Sequence, residues 1–126
     1  MKNVLLVDDD NIFNFLSTKT LQQMGIANEI HTALNGREAL DLLNNYFTGS
    51  YATPDVILLD LNMPVLDGFG FLEAFQRLNM PNKERITVII VTSSNDPKDV
   101  EKARQMGITH YLTKPLSEEK LKAVLI

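Results

Sequence analysis

The chain has 126 residues, 44% of them hydrophobic, which is enough for one domain with its own core. It contains no cysteine, so disulfides and thiolate metal sites are excluded, and its net charge of −4 argues against non-specific nucleic-acid binding. No apolar run is long enough to span a membrane and no signal-peptide pattern opens the chain, so we expect a cytoplasmic protein. We also expect a single domain over residues 1–126, without an output domain.

Apolar runs and amphipathic stretches alternate along the chain, and they predict five strands and five helices in turn. The predicted elements in chain order are strand 3–7, helix 11–24, strand 29–33, helix 36–47, strand 56–60, helix 68–78, strand 86–91, helix 97–107, strand 108–112 and helix 117–126, with a loop at 48–54. The second strand is more polar, which is typical of a sheet edge. Continuous apolar strands that alternate with helices indicate a parallel sheet covered on both faces.

Acidic, hydroxyl and ammonium side chains stand at the carboxyl ends of the predicted strands. The triplet Asp8-Asp9-Asp10 follows the first strand, Asp60 ends the third, Thr92 follows the fourth and Lys114 follows the fifth. Ligands of open parallel sheets bind beyond these ends, so we expect the four features to converge at one edge. Each alone is commonly a solvated turn or a helix cap, but together they are typical of a functional site.

These residue types suit phosphoryl chemistry that depends on a divalent cation. Carboxylate oxygens are ligands that Mg2+ prefers, so Asp9 and Asp60 could bind the ion while Asp8 holds one of its waters. A carboxylate can also attack phosphorus and form an aspartyl phosphate. Lys114 would supply positive charge, and Thr92 a hydroxyl donor, to the phosphoryl oxygens.

Four motifs occur in order at appropriate separations: VDDD, LLDLNMPVLDG, VTSS and YLTKP. With them the chain resembles, over essentially its whole length, the receiver domain of two-component response regulators. The resemblance implies a doubly wound α/β fold of flavodoxin-like type, with a five-stranded parallel sheet in the order 2-1-3-4-5 and helices on both faces. It implies a signalling receiver rather than an enzyme. Such a receiver takes a phosphoryl group from a sensor histidine kinase or a histidine phosphotransfer protein, and then changes its binding to a downstream protein.

The resemblance also implies roles for individual acidic residues. Asp60 matches the phosphoacceptor of the family. The side chains of Asp8, Asp9 and Asp60, with the backbone carbonyl of Asn62, match the ligands of Mg2+. Asp10 then lies outside the site and is expected to cap the first helix.

The remaining motif positions match the switch of the family. Thr92 matches the switch hydroxyl, Tyr111 the aromatic side chain that follows its movement, and Lys114 the phosphate-binding lysine, which often precedes a cis peptide bond to proline. Asn62 and Ser94 occupy positions that tune the lifetime of the phosphate. The implied switch rearranges the surface formed by the fourth helix, fifth strand and fifth helix.

The first helix presents an apolar residue on its predicted solvent side. The predicted packed side holds Phe13, Leu16, Leu21 and Met24, with Ser17 and Thr20 filling it in. A turn of 100° per residue places Phe15 nearly opposite this side. We hypothesise that Phe15 docks the phosphodonor protein. A singly exposed apolar residue without a role is the plain alternative.

Two other functions fit parts of the pattern. A Mg2+-dependent phosphatase can also use an aspartyl nucleophile, but such enzymes typically carry a second aspartate two residues later, where this chain has Asn62. An inactive interaction module is the other alternative, although none of the expected residues is missing. We expect no direct contact with nucleic acid or membrane, and a monomer that could dimerise on phosphorylation.

Overall fold

The computed structural model describes residues 2–47 and 53–125, and within these ranges it has five strands and five α-helices in the predicted order. The strands are β1 Lys2–Val7, β2 Ala27–Ala33, β3 Val56–Leu59, β4 Thr87–Thr92 and β5 His110–Thr113. The helices are α1 Asn11–Met24, α2 Gly36–Phe47, α3 Gly68–Arg77, α4 Pro97–Gln105 and α5 Glu118–Leu125. A short 3-10 turn at Lys83–Arg85, which was not predicted, leads into β4. Residues 48–52 of the predicted loop and residue 126 of the predicted last helix lie outside the described ranges.

All neighbouring strands pair in parallel, and their order is β2-β1-β3-β4-β5. This order confirms the predicted doubly wound α/β sheet and the edge position of the polar strand β2. Element boundaries differ from the predictions by two residues or fewer; β2, for example, begins at Ala27 rather than at residue 29. In the part of the chain that the structure describes, no helix is long and apolar enough to cross a membrane.

The two faces of the sheet bury different apolar side chains, because successive residues of a strand point to opposite sides. On one face, Leu5 packs in a core that includes Phe71 and is covered by α2, α3 and α4. On the other face, Leu6 packs in a core that includes Leu21 of α1 and Leu121 of α5. Helices therefore cover both faces of the central strands, and polar residues gather where the strands end.

The helix α1 packs its predicted side against the sheet, with Phe13, Leu21 and Met24 in or against the core, but Leu16 is an exception. Leu16 is 58% exposed, whereas the buried residues of α1 are Asn14, Ser17 and Leu21. The prediction for Leu16 is wrong because this residue lies about 100° around the helix from the buried Ser17, at the margin of the packed side, whereas Asn14 is buried instead. Phe15 is 61% exposed, as predicted.

Candidate functional site

The register of β1 and β3 brings two of the predicted aspartates to one edge of the sheet. Val7 lies beside Leu59, so Asp8 and Asp60 follow at the same level, and the Asp60 amide donates to the Val7 carbonyl at 2.9 Å. Gly68, the first residue of α3, comes so near that a Cβ there would overlap the backbone oxygen of Asp60. Only glycine allows α3 to begin this close to the site.

The ends of β4 and β5 are aligned in the same way. Thr92 pairs with Thr113, and the Lys114 amide donates to the Thr92 carbonyl at 2.9 Å. Thr92 is fully buried, and its hydroxyl lowers the pKa of Asp60. The peptide bond between Lys114 and Pro115 is cis, as the resemblance implies.

Three carboxylates form a cluster at this edge. Asp8, Asp9 and Asp60 each contribute an oxygen, and these oxygens lie within 4.8 Å of one another. Asp8 is 2% exposed and Asp60 6% exposed, whereas Asp9 is open to solvent. Hard oxygen ligands with one open side suit a divalent cation that keeps part of its water shell. The three side chains therefore fit a divalent metal ion, and their mutual repulsion gives such an ion a role in compensating charge.

Lys114 supplies a positive charge to this cluster. Its Nζ lies 2.7 Å from Oδ2 of Asp8 and 3.8 Å from Oδ2 of Asp60. The same ammonium lies 4.2 Å from the centre of the Phe13 ring, within the range of a cation–π interaction. The contact with Asp8 is close but ionic, because within residues 2–47 and 53–125 no well-aligned hydrogen bond reaches Oδ2 of Asp8. One ammonium thus pairs with Asp8 and Asp60 in a cluster of three carboxylates, and negative charge remains in excess.

The environment of Asp60 disfavours its ionised form. Burial raises the pKa of Asp60 above its ordinary value, and the neighbouring charge of Asp8 raises it further. Lys114, the hydroxyl of Thr92 and the Leu61 amide, which donates to Oδ1 at 2.9 Å, lower the same pKa and offset part of this effect. An ionised Asp60 would therefore be stabilised by any further cation at this edge.

A chain of hydrogen bonds connects Thr92 to the helix α4 and to β5. The Ser94 amide donates to Oγ1 of Thr92 at 3.4 Å, and the Ser94 hydroxyl donates to Oδ2 of Asp99 at 2.7 Å. The hydroxyl of Tyr111 donates to the Ser94 carbonyl at 2.9 Å, and burial raises the pKa of that hydroxyl. Movement of the loop after β4 would therefore change hydrogen bonds to both α4 and β5.

The loop between Asp60 and α3 is tightly turned. The Leu66 amide donates to the Pro64 carbonyl at 2.8 Å, and Val65 between them has a φ of 69°, which is the geometry of a γ-turn. A β-branched residue rarely adopts this conformation, and Val65 is 83% exposed. Asn62 is exposed in the same loop, two residues beyond Asp60, and the role of its carbonyl as a metal ligand stays a prediction.

Two residues hold the first acidic segment in place. Asp10 caps α1 as expected, because its Oδ1 accepts hydrogen bonds from the amides of Ile12 at 2.9 Å and Phe13 at 3.1 Å. Asn14, which belongs to none of the motifs, donates from Nδ2 to the backbone carbonyl of Asp8 at 2.8 Å. The signal that could have found it is a polar residue on the buried row of a helix that starts at the site.

The exposed side of α1 carries an apolar patch larger than the single residue predicted. Ile12, Phe15 and Leu16, here called the α1 patch, are 72%, 61% and 58% exposed. Lys19 lies over the Phe15 ring, with Nζ 5.5 Å from its centre. Exposed apolar groups that adjoin one another are typical of interaction surfaces.

The chain is similar to known proteins over nearly its whole length. Residues 4–126 match the model of the response regulator receiver domain. The probable chemotaxis protein CheY of Rhizobium etli is 34% identical over 122 residues, which are 97% of this chain and 88% of that protein. The crystal structure of a two component response regulator from Cytophaga hutchinsonii superposes with a TM-score of 0.87 at 33% identity, covering 96% of this chain and 91% of the other. The Mn(2+)-bound form of response regulator Rcp1 has a TM-score of 0.79 at 30% identity, covering 96% and 86%.

Proposed function

Because the chain belongs to the response regulator receiver domain family of two-component signalling, we propose that it accepts a phosphoryl group on Asp60 and signals this state to a partner protein. The observation that carries the proposal is the setting of Asp60. It is a buried carboxylate beside two other carboxylates, with the Lys114 ammonium 3.8 Å away. A nucleophilic carboxylate with a cation ready for the transferred group is the arrangement that phosphoryl acceptance needs.

The donor in this proposal is a phosphohistidine on a sensor histidine kinase or a histidine phosphotransfer protein. An oxygen of Asp60 forms the new bond to phosphorus as the bond between phosphorus and the donor imidazole breaks. The departing imidazole nitrogen keeps the electron pair of that bond and takes a proton from solvent. The product is an aspartyl phosphate, and no separate substrate is turned over.

The proposed cofactor is Mg2+, held by the side chains of Asp8, Asp9 and Asp60 and by the backbone carbonyl of Asn62. The cluster of carboxylate oxygens within 4.8 Å of one another supports this assignment. So does the divalent ion bound by Rcp1, although that observation belongs to the other protein. When bound, the ion would neutralise negative charge on the carboxylates and on the phosphoryl oxygens.

After transfer, we expect Lys114 and Thr92 to bind the new phosphoryl oxygens. Lys114 then exchanges part of its contact with Asp8 for the phosphoryl group, and the Thr92 hydroxyl donates to it. The contacts from Thr92 through Ser94 to Tyr111 offer a route by which this change reaches the surface formed by α4, β5 and α5. In this proposal, that surface binds the downstream partner, and Ser94 influences how long the phosphate persists.

The α1 patch is the proposed docking surface for the donor. We expect Phe15→Ala to slow phosphoryl transfer from a phosphohistidine donor protein about tenfold, because a buried aromatic anchor is lost from the interface. Transfer from acetyl phosphate should be unchanged, since this small donor needs no docking. Val100→Ala, at an exposed apolar residue on α4, is the matched control. Equal rates for Phe15→Ala and wild type with the protein donor would remove the α1 patch from the proposal.

Intact mass measurement tests the proposed function directly. Wild type should gain one phosphate after incubation with acetyl phosphate and Mg2+, and Asp60→Asn should gain none. Removing Mg2+ with a chelator beforehand should abolish the gain in wild type. Equal labelling of the two chains would exclude Asp60 as the acceptor, and turnover of a small phosphomonoester would favour the phosphatase alternative.

A further inference from the structure

The side chain of Lys120 makes two hydrogen bonds to the backbone next to Lys114. Its Nζ donates to the carbonyl of Thr113 at 2.6 Å and to the carbonyl of Pro115 at 2.8 Å. These two residues flank Lys114, which carries the ammonium that faces Asp60. A single side chain from α5 therefore bridges the backbone on both sides of the residue that would bind the phosphoryl group.

The position of Lys120 in its helix is locally unfavourable. It is the third residue of α5, where the positive end of the helix dipole disfavours a cation. Its amide donates to the Ser117 hydroxyl at 3.2 Å, so Ser117 caps the helix. A capping box would place Glu or Gln at this position to complete the cap. A residue that breaks a local rule is commonly retained for a tertiary or functional contact, and here that contact is the pair of carbonyls.

The segment that carries Lys114 is thus tied from two sides. On one side the Lys114 amide donates to the Thr92 carbonyl at 2.9 Å. On the other side Lys120 binds both flanking carbonyls, which fixes where the side chain of Lys114 begins. From that point Nζ of Lys114 reaches to within 2.7 Å of Asp8 and 3.8 Å of Asp60. A small rotation of this backbone would move the ammonium away from the acceptor.

We propose that Lys120 is a positioning residue for phosphoryl transfer, which holds the Lys114 ammonium at Asp60 by bridging the carbonyls on either side of Lys114. This inference rests on the proposed function, since it supposes that Asp60 accepts the group. Both carbonyl contacts are exposed, so water can replace them and the fold does not depend on them. The effect of Lys120 therefore falls on transfer more than on stability.

The test measures the rate of phosphorylation by acetyl phosphate at saturating Mg2+, followed by intact mass at several donor concentrations. Lys120→Met should lower the slope of rate against donor concentration about tenfold, because displacement of a binding group by a fraction of an ångström is costly. Its urea unfolding midpoint should stay close to that of wild type. Lys120→Arg should recover most of the rate, since a guanidinium can donate to both carbonyls.

Lys122→Met is the matched control, because Lys122 is an exposed lysine on the same helix, and we expect it to behave as wild type. If wild type is phosphorylated and Lys120→Met is as fast as Lys122→Met, the inference is overturned while the proposed function stands. If the rate and the unfolding midpoint of Lys120→Met fall together and arginine restores neither, Lys120 is only structural and the inference is overturned. If wild type takes no phosphate, the proposed function fails and the inference fails with it.

Discussion

Replacing Lys114 with methionine should destabilise the metal-free protein by about 3 kcal/mol at pH 7. The change removes the ammonium that faces Asp8 and Asp60 and leaves two nearly buried carboxylates without a described positive partner. Breaking a buried ion pair by removing one partner is costly because the other charge remains uncompensated. Methionine keeps a flexible apolar stem of similar length against Phe13, so the loss is mainly electrostatic.

The magnitude follows from the two distances. Nζ of Lys114 lies 2.7 Å from Asp8 and 3.8 Å from Asp60. At an effective dielectric constant of about 20, unit charges at these separations attract by roughly 6 and 4 kcal/mol. Desolvation of the ammonium, whose side chain is 21% exposed, and the lost freedom of a long side chain offset most of that attraction. A net loss of about 3 kcal/mol remains after these opposing contributions.

The pH dependence of this loss identifies its cause. Lys114 lowers the pKa of Asp60, so in Lys114→Met that pKa rises further above its ordinary value of 3.8. A carboxyl group whose pKa is higher in the folded state than in the unfolded state lowers the stability of the fold when it ionises. The protein is therefore more stable at low pH and loses this stability as the pH rises through the folded-state pKa. The difference between variant and wild type should therefore be largest at pH 7 and should shrink towards pH 4. Added Mg2+ should recover part of the stability at pH 7, because the ion replaces the missing positive charge.

Urea unfolding followed by circular dichroism, in chelator and at both pH values, measures the effect. Lys122→Met removes an exposed lysine from α5 and controls for the loss of one positive charge from the whole chain. A loss smaller than about 1 kcal/mol for Lys114→Met at pH 7 would refute the electrostatic reasoning. So would a loss of equal size at pH 7 and pH 4.

Three further predictions concern stability. Asp60→Asn should be more stable than wild type at pH 7 in chelator, because burial and Asp8 disfavour the charged form of Asp60. This difference in the free energy of unfolding should disappear as the pH falls towards 3.8. A difference that does not depend on pH would contradict the prediction. Val65→Gly should raise the free energy of unfolding by about 0.5–1 kcal/mol, because the relief of strain at a φ of 69° exceeds the entropic cost of glycine. A lower urea midpoint than that of wild type would count against strain in this turn. Lys83 donates to three carbonyls at the end of α3, at 3.2, 2.7 and 2.9 Å. Lys83→Met should therefore lower the free energy of unfolding by about 1–2 kcal/mol. A loss no larger than that of Lys122→Met would show that these hydrogen bonds contribute little.

The architecture was largely predictable because its signals are local. Strands covered on both faces must be continuously apolar, and their alternation with helices admits few arrangements besides a parallel sheet. The carboxyl ends of parallel strands lie at one edge, so Asp60, Thr92 and Lys114 could be brought together from their places in the chain alone. The cap Asp10 was likewise readable, because its hydrogen bonds reach only two and three residues ahead.

The burial of individual residues on α1 was only partly predictable with the same method. Hydrophobic spacing placed Leu16 inside together with Ser17 and Leu21, but the helix leaves Leu16 exposed and buries Asn14. Asn14 can be buried because its amide donates to the Asp8 carbonyl, a partner that exists only once the strand and the helix have packed. A polar residue with a tertiary hydrogen bond therefore looks, in the sequence, like a residue meant for solvent.

By itself, the sequence determined the order of the elements, the class of sheet and the set of residues at its edge, because each depends on neighbours within a few positions. The tertiary structure alone decided how those residues interact. The raised pKa of Asp60 comes from its burial and from Asp8, which is 52 positions earlier. The contacts of Lys114 with Asp8 and Phe13, and the link from Lys120 to the backbone beside it, depend on how α1 and α5 pack against the sheet. Desolvation and charge act through space, so they are settled only when distant segments meet.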